Sequence, residues 1–168
     1  MTMTVGIVLG SSSDWPTVEP CYRQLQELQI EPEVRVLSAH RTPDKLRDYV
    51  IDAQNRTVGV FIAAAGMAAA LPGVIAAHTT RPVIGIPVAT APLQGIDSVL
   101  SMVQMPPGVP VATMAIGPAG ARNAAILAAQ ILALGEPDLR ERLKKLKSNQ
   151  AESVDKNSQD LQEQLRRV

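Results

Sequence analysis

The sequence predicts an α/β protein, a three-layer α/β/α sandwich around a central parallel sheet of five strands. Three observations predict it. Short runs rich in Val and Ile recur, each followed by a longer stretch with helical spacing. Most of those runs are apolar at every position, as strands covered on both faces should be. Strands separated by helices pair in parallel through right-handed crossovers.

The expected strands are Val5–Leu9 (VGIVL), Glu33–Leu37 (EVRVL), Val58–Ala63 (VGVFIA), Val83–Ile86 and Val111–Ile116 (VATMAI). Ser13 or Asp14 can cap the first helix, which runs to about Leu28 with Val18, Tyr22, Leu25 and Leu28 facing inward. Pro20 lies inside that pattern and should distort its first turns. Thr42-Pro43 reads as a cap followed by a proline at the first helical position, opening a second helix with Leu46, Val50 and Ala53 as its apolar stripe. A third helix is expected from about Ala68 to Thr79 and a fourth from about Gly95 to Val103.

The fifth helix, Ala121–Leu134 (ARNAAILAAQILAL), is apolar almost all round, and such a helix must be buried in a core or against another subunit. One sheet face cannot hide every side of it, so a homo-oligomer is expected. After Gly135 the composition changes: Asp138–Lys147 (DLRERLKKLK) reads as a charged amphipathic helix, Ser148–Gln159 as polar and loose, and Leu161–Val168 as a last helical turn or tail. Residues 1–135 are thus expected to form a single α/β domain, and residues 136–168 a charged helix with a polar tail. The architecture is flavodoxin-like or Rossmann-like.

At 168 residues the chain suits one domain with a real core. Lys plus Arg and Asp plus Glu each number 16, so the formal charge is zero. Binding along a nucleic acid would need a basic excess to release counterions, and one Trp, two Tyr and one Phe leave little on which to stack bases. A single phosphorylated small molecule needs only a few well-aimed donors. The lone Cys21 rules out an internal disulfide, fits a reducing compartment and reads as a small apolar filler. With no signal-peptide pattern and no run of 18 apolar residues, a cytoplasmic protein without membrane contact is expected.

In open parallel sheets, ligands bind beyond the carboxyl ends of the strands. Three loops there are rich in candidates. Gly10-Ser11-Ser12-Ser13-Asp14 follows the first strand and opens a helix; Ser11 and Ser13, with free helix N–H groups, suit a phosphate, and Asp14 suits ribose hydroxyls. The plainer alternative is that Ser13 and Asp14 merely cap a helix. Ser38-Ala39-His40-Arg41-Thr42 follows the second strand and sets an imidazole beside a guanidinium. His40 can give and take a proton near neutrality, and Arg41 is a permanent fork-shaped donor for phosphate. The plainer alternative pairs Arg41 with an acid such as Asp44.

The third loop, Ala64–Gly73, is small and apolar, and Gly66, Met67, Ala68 and Leu71 could wall off a dry pocket beside a planar ring or serve packing alone. His78, before Thr79-Thr80-Arg81-Pro82, reads as a structural residue at a helix C-terminus. No His, Cys or carboxylate cluster has metal-ligand spacing, so neither a metal nor another cofactor is expected.

Taken together, GSSSDW, SAHRTPD, AAGMAAALPG and PLQGIDSVLSMVQMPPGVPVATMAIG resemble the N5-carboxyaminoimidazole ribonucleotide mutase family, in order from about Val5 to Leu134. The resemblance implies transfer of a carboxylate from the exocyclic nitrogen to ring carbon C4 in purine biosynthesis, through decarboxylation to aminoimidazole ribonucleotide with carbon dioxide held in the pocket. It implies His40 as the general acid/base, Ser11, Ser13, Asp14, Ser38 and Arg41 as nucleotide contacts, and a homo-octamer. The phosphate falls to the serines and Arg41, the ribose to Asp14. One departure stands out: the family loop usually reads AAHLPG, with histidine where this chain has Ala70 and often glycine where it has Met67. A related carboxylase or decarboxylase, or a nucleotide sensor without catalysis, are the alternatives.

Overall fold

The computed structural model describes residues 3–167. Five strands, β1 (Thr4–Leu9), β2 (Glu33–Val36), β3 (Val58–Ala65), β4 (Val83–Pro87) and β5 (Ala112–Thr113), form one sheet in the order β2-β1-β3-β4-β5. Every pairing is parallel. The helices are α1 (Trp15–Glu27), α2 (Pro43–Asn55), α3 (Leu71–Ala77), α4 (Ile96–Val103), α5 (Pro118–Leu132) and α6 (Pro137–Leu165). The expected three-layer sandwich is what forms.

The two faces of β3 show why its residues are apolar throughout. Val60, Ile62 and Ala64 point into a core shared with Val18, Cys21 and Leu25 of α1 and the alanines of α5. Phe61, Ala63 and Ala65 point the other way, into a core with Leu46, Val50, Ile75 and Met102 from α2, α3 and α4. All eight residues of the strand are buried. Val60, Phe61 and Ile62 each contribute roughly 1.5–3 kcal/mol by leaving water.

Several boundaries differ from expectation, for local reasons. Helix α1 starts at Trp15 after a short 3-10 turn at Ser12–Asp14; Asp14 stands at its N-cap without a side-chain cap bond, and Ser11 caps the 3-10 turn. The helix then passes through Pro20 without interruption. Tyr22 is only half-buried and donates its hydroxyl to Glu31 Oε1. Thr42 makes no side-chain cap on α2; its Oγ1 accepts from Ser38 N–H and donates to Ser38 C=O. Helix α3 is shorter than expected because Met67 takes a left-handed φ of 57° and Met67–Ala70 turn tightly before it. Helix α5 begins earlier, where Gly117 at φ 78° turns the chain and Pro118 starts the helix. Strand β5 is only two residues long.

Two corrections are larger. Ser148–Gln159, expected loose, continues α6 as helix to Leu165, although from Lys147 onward its residues are exposed. Only its first turns join the core, through buried Leu139 and partly buried Leu143 and Leu146. Helix α5 is not apolar all round: Ala121, Ala124, Ala125, Ala128 and Ala129 bury against α1 and the sheet, Ile126, Leu127 and Ile131 are half-buried, and Arg122, Asn123 and Gln130 face solvent. Its small side chains let three layers approach closely. Val168 lies outside the described residues.

The tightest approach is at Gly120, where a Cβ would stand 1.6 Å from the Ala115 carbonyl oxygen. Backbone cannot yield as a flexible side chain does. Gly120→Ala should cost about 3 kcal/mol and lower the thermal midpoint by roughly 6–12 °C; a midpoint within a degree or two of wild type in a calorimetric scan contradicts this packing.

Candidate active site

The strand order reverses between β1 and β3, so consecutive loops leave the sheet's carboxyl edge in opposite directions and open a crevice. A cavity of about 460 Å³ occupies it, lined by Ser11, Ser13, Asp14, Ser38, His40 and Arg41 and, facing them, by Gly66, Met67, Ala68 and Leu71. Every candidate residue of the sequence analysis lines this one cavity. Each loop is placed by its strand: Gly10 N–H bonds Ala64 C=O at 3.1 Å, and Leu37 N–H bonds Leu9 C=O at 2.9 Å.

The first loop is wound on itself. Ser11 Oγ accepts from Ser13 N–H at 3.3 Å and from the Ser13 hydroxyl at 2.7 Å, while Ser11 N–H donates to Asp14 Oδ2 at 3.1 Å. Asp14 is buried, and desolvation raises its pKa above the ordinary 3.8 against the opposing pull of the Ser11 N–H and the Arg41 charge. The second loop is tied to the first by Arg41, whose Nη2 donates to Gly10 C=O at 3.0 Å and whose Nε donates to Ser38 Oγ at 3.3 Å. Asp44 is instead paired with Arg47, 3.7 Å away. Among the described residues Arg41 forms no ion pair within 4 Å, though its charge reaches the Asp14 carboxylate, and His40 is exposed beside it.

The opposite wall is apolar. Gly66 lies against Thr90, whose Cγ2 would be 2.8 Å from a Cβ at that glycine. Thr90 belongs to the loop after β4 and also lines the cavity, with its Oγ1 buried and bonded to no protein group among the described residues. Sequence reasoning missed it, because V-A-T after a strand carries no signal beyond its position at the binding edge. Ala70 contributes a methyl to the same wall. His78 sits at the C-terminal cap of α3, as read from the sequence, and away from the cavity lining.

The AIR carboxylase family matches residues 4–153. The chain belongs to that family. It is 53% identical over 154 residues to an N5-carboxyaminoimidazole ribonucleotide mutase of Pseudomonas aeruginosa, covering 92% of this chain and 94% of that one. A Bacillus subtilis mutase of the same name is 50% identical over 161 residues, covering 96% and 99%. Among solved structures, Treponema denticola PurE superposes with a TM-score of 0.86 at 26% identity, covering 94% of this chain and 98% of that chain. The family match takes in all four cavity loops and stops within α6.

Two expectations follow from the site's geometry. A buried acid with a raised pKa holds its proton longer in the folded chain, so stability falls as pH rises through the folded value. Asp14→Asn, which still accepts from Ser11 N–H, should raise the ligand-free thermal midpoint at pH 7, with the gain vanishing below about pH 4. A gain independent of pH contradicts the desolvation argument. Thr90→Val replaces a hydroxyl bonded to no described protein group by a methyl of the same shape and should leave the midpoint unchanged or higher; a clear drop shows that the hydroxyl has a partner.

Proposed function

We propose that the protein converts N5-carboxyaminoimidazole ribonucleotide to its C4-carboxylated isomer in de novo purine biosynthesis, as an isomerase working without metal or other cofactor. The single observation that carries this reading is the cavity itself, which gathers a histidine, an arginine and a serine-rich turn against an apolar wall. Its volume suits one nucleotide-sized ligand. The names of the relatives and the resemblance of the SAHRTP loop supply the substrate.

The chemistry assigns a task to each side of the cavity. Ser11, Ser13 and Arg41 take the phosphate, Asp14 the ribose hydroxyls, and Ser38 steadies Arg41 while facing the nucleotide. Gly66, Met67, Ala68 and Leu71 pack beside the ring. His40 protonates the exocyclic nitrogen as the bond from that nitrogen to the carboxylate carbon breaks, with the electron pair returning to nitrogen. The carbon dioxide so released is attacked by electron-rich C4, forming the new carbon–carbon bond. His40, now neutral, removes the C4 proton, and the cycle closes with no net proton change. A positioned acid/base supplies roughly 10²–10⁴ in rate.

The same reading places the enzyme in the cytoplasm as a homo-octamer. Support for association comes from Leu93, Ile96, Leu100 and Val103, each more than half exposed and spaced along one side of α4 and the turn before it. A second reading is a carboxylase that fixes free carbon dioxide on aminoimidazole ribonucleotide; the family description and the methyl of Ala70 in the cavity wall favour it.

Supplying the N5-carboxylated nucleotide and following the isomer by ultraviolet absorbance tests the proposal. Conversion faster than the spontaneous rate without added bicarbonate supports the mutase; conversion only of aminoimidazole ribonucleotide with bicarbonate selects the carboxylase. His40→Ala should reduce turnover at least about 100-fold with nucleotide affinity nearly unchanged. Near-wild-type turnover in that variant removes the proton shuttle.

A further inference from the structure

We propose that the Met67 side chain closes the cavity over the bound nucleotide and keeps carbon dioxide from escaping between the two halves of the reaction. This rests on the carboxylate-transfer reading above and deepens it. Met67 lines the cavity, yet it is 63% exposed, a long apolar side chain held in water at the mouth of a site. Its backbone is left-handed, with φ at 57°, a conformation that residues with a Cβ avoid. Strain of this kind persists only where the surroundings impose it, and such outliers cluster at functional positions.

The surroundings here are specific. Ala69 N–H returns to Met67 C=O at 2.9 Å and Ala70 N–H to Ala68 C=O at 2.7 Å, two tight reversals in succession. On the other side, Gly66 is pressed against Thr90. The corner between them turns Met67 outward at the rim. Its neighbours Ala68 and Ala70 carry only methyl groups, too short to cover anything, so Met67 alone on this stretch of wall has reach. Three rotatable bonds and a soft thioether let it fold over a seated ring. Carbon dioxide is small, neutral and apolar, so walls retain it where charges cannot. The opposite rim, His40 and Arg41, is polar and leaves that task to the apolar side.

The test follows the carbon. The N5-carboxylated nucleotide, labelled with ¹³C in its transferable carboxylate, is turned over in excess unlabelled bicarbonate with carbonic anhydrase to scramble escaped gas. Mass spectrometry then reads the label in the product. Wild type should keep most of it, and Met67→Leu, which preserves apolar bulk, should keep nearly as much. Met67→Gly should lose several-fold more label per product formed, whatever its turnover rate and nucleotide affinity, while folding at least as stably as wild type, since glycine takes the left-handed backbone without strain. Equal retention in Met67→Gly and wild type overturns the proposal, as does loss in Met67→Leu equal to that in Met67→Gly. A wild type that makes no product overturns the carboxylate-transfer reading itself, and this inference with it.

Discussion

The ladder between β1 and β3 is the seam on which the site depends. The chain lays β2 on one side of β1 and then crosses to build β3, β4 and β5 on the other. Right-handed crossovers make this reversal put successive loops on either side of a gap at the carboxyl edge. The register brings Leu9 beside Ala64, so Gly10 leaves the sheet within hydrogen-bond reach of Ala64, and the serine turn starts where β3 gives way to its apolar loop. The site's polar and apolar halves meet because of that pairing.

Across the seam, Arg41 links structure to chemistry. Its guanidinium clasps the Gly10 carbonyl and the Ser38 hydroxyl, so two loops far apart in sequence are fixed as one surface. Those acceptors are neutral, and the positive charge stays available to an anion. A protein with no net charge can thus offer a local anion site. The buried Asp14 carries the opposite cost, since its desolvation is tolerated where a ligand's hydroxyls would replace lost water.

Much of this was legible in the residues. Continuous apolar strands announced a sheet covered on both sides, and the helices between them announced parallel pairing; the strand order did not show in the residues. The candidate cavity residues stood in loops at strand ends, where side chains chosen for packing would be apolar, so Ser, His and Arg there were informative. Three features were not legible, each for a physical reason. Thr90 is marked only by its tertiary neighbour Gly66. The α5 helix looks uniformly apolar because alanine counts as apolar at any position, yet Arg122, Asn123 and Gln130 mark its wet side once the helix phase is known. Ser148–Gln159 is too polar to show an apolar stripe, but it inherits helical geometry from the anchored turns at Leu139, Leu143 and Leu146.

The central claim is spatial: one nucleotide lies across the β1–β3 seam with its reacting carbon beside His40. A crystal structure with the C4-carboxylated product bound measures this directly. The account predicts the phosphate on the Ser11–Ser13 turn and Arg41, with an imidazole nitrogen of His40 about 3 Å from C4 or the exocyclic nitrogen. A sugar phosphate seated outside the crevice, with the His40 ring turned to solvent, contradicts it.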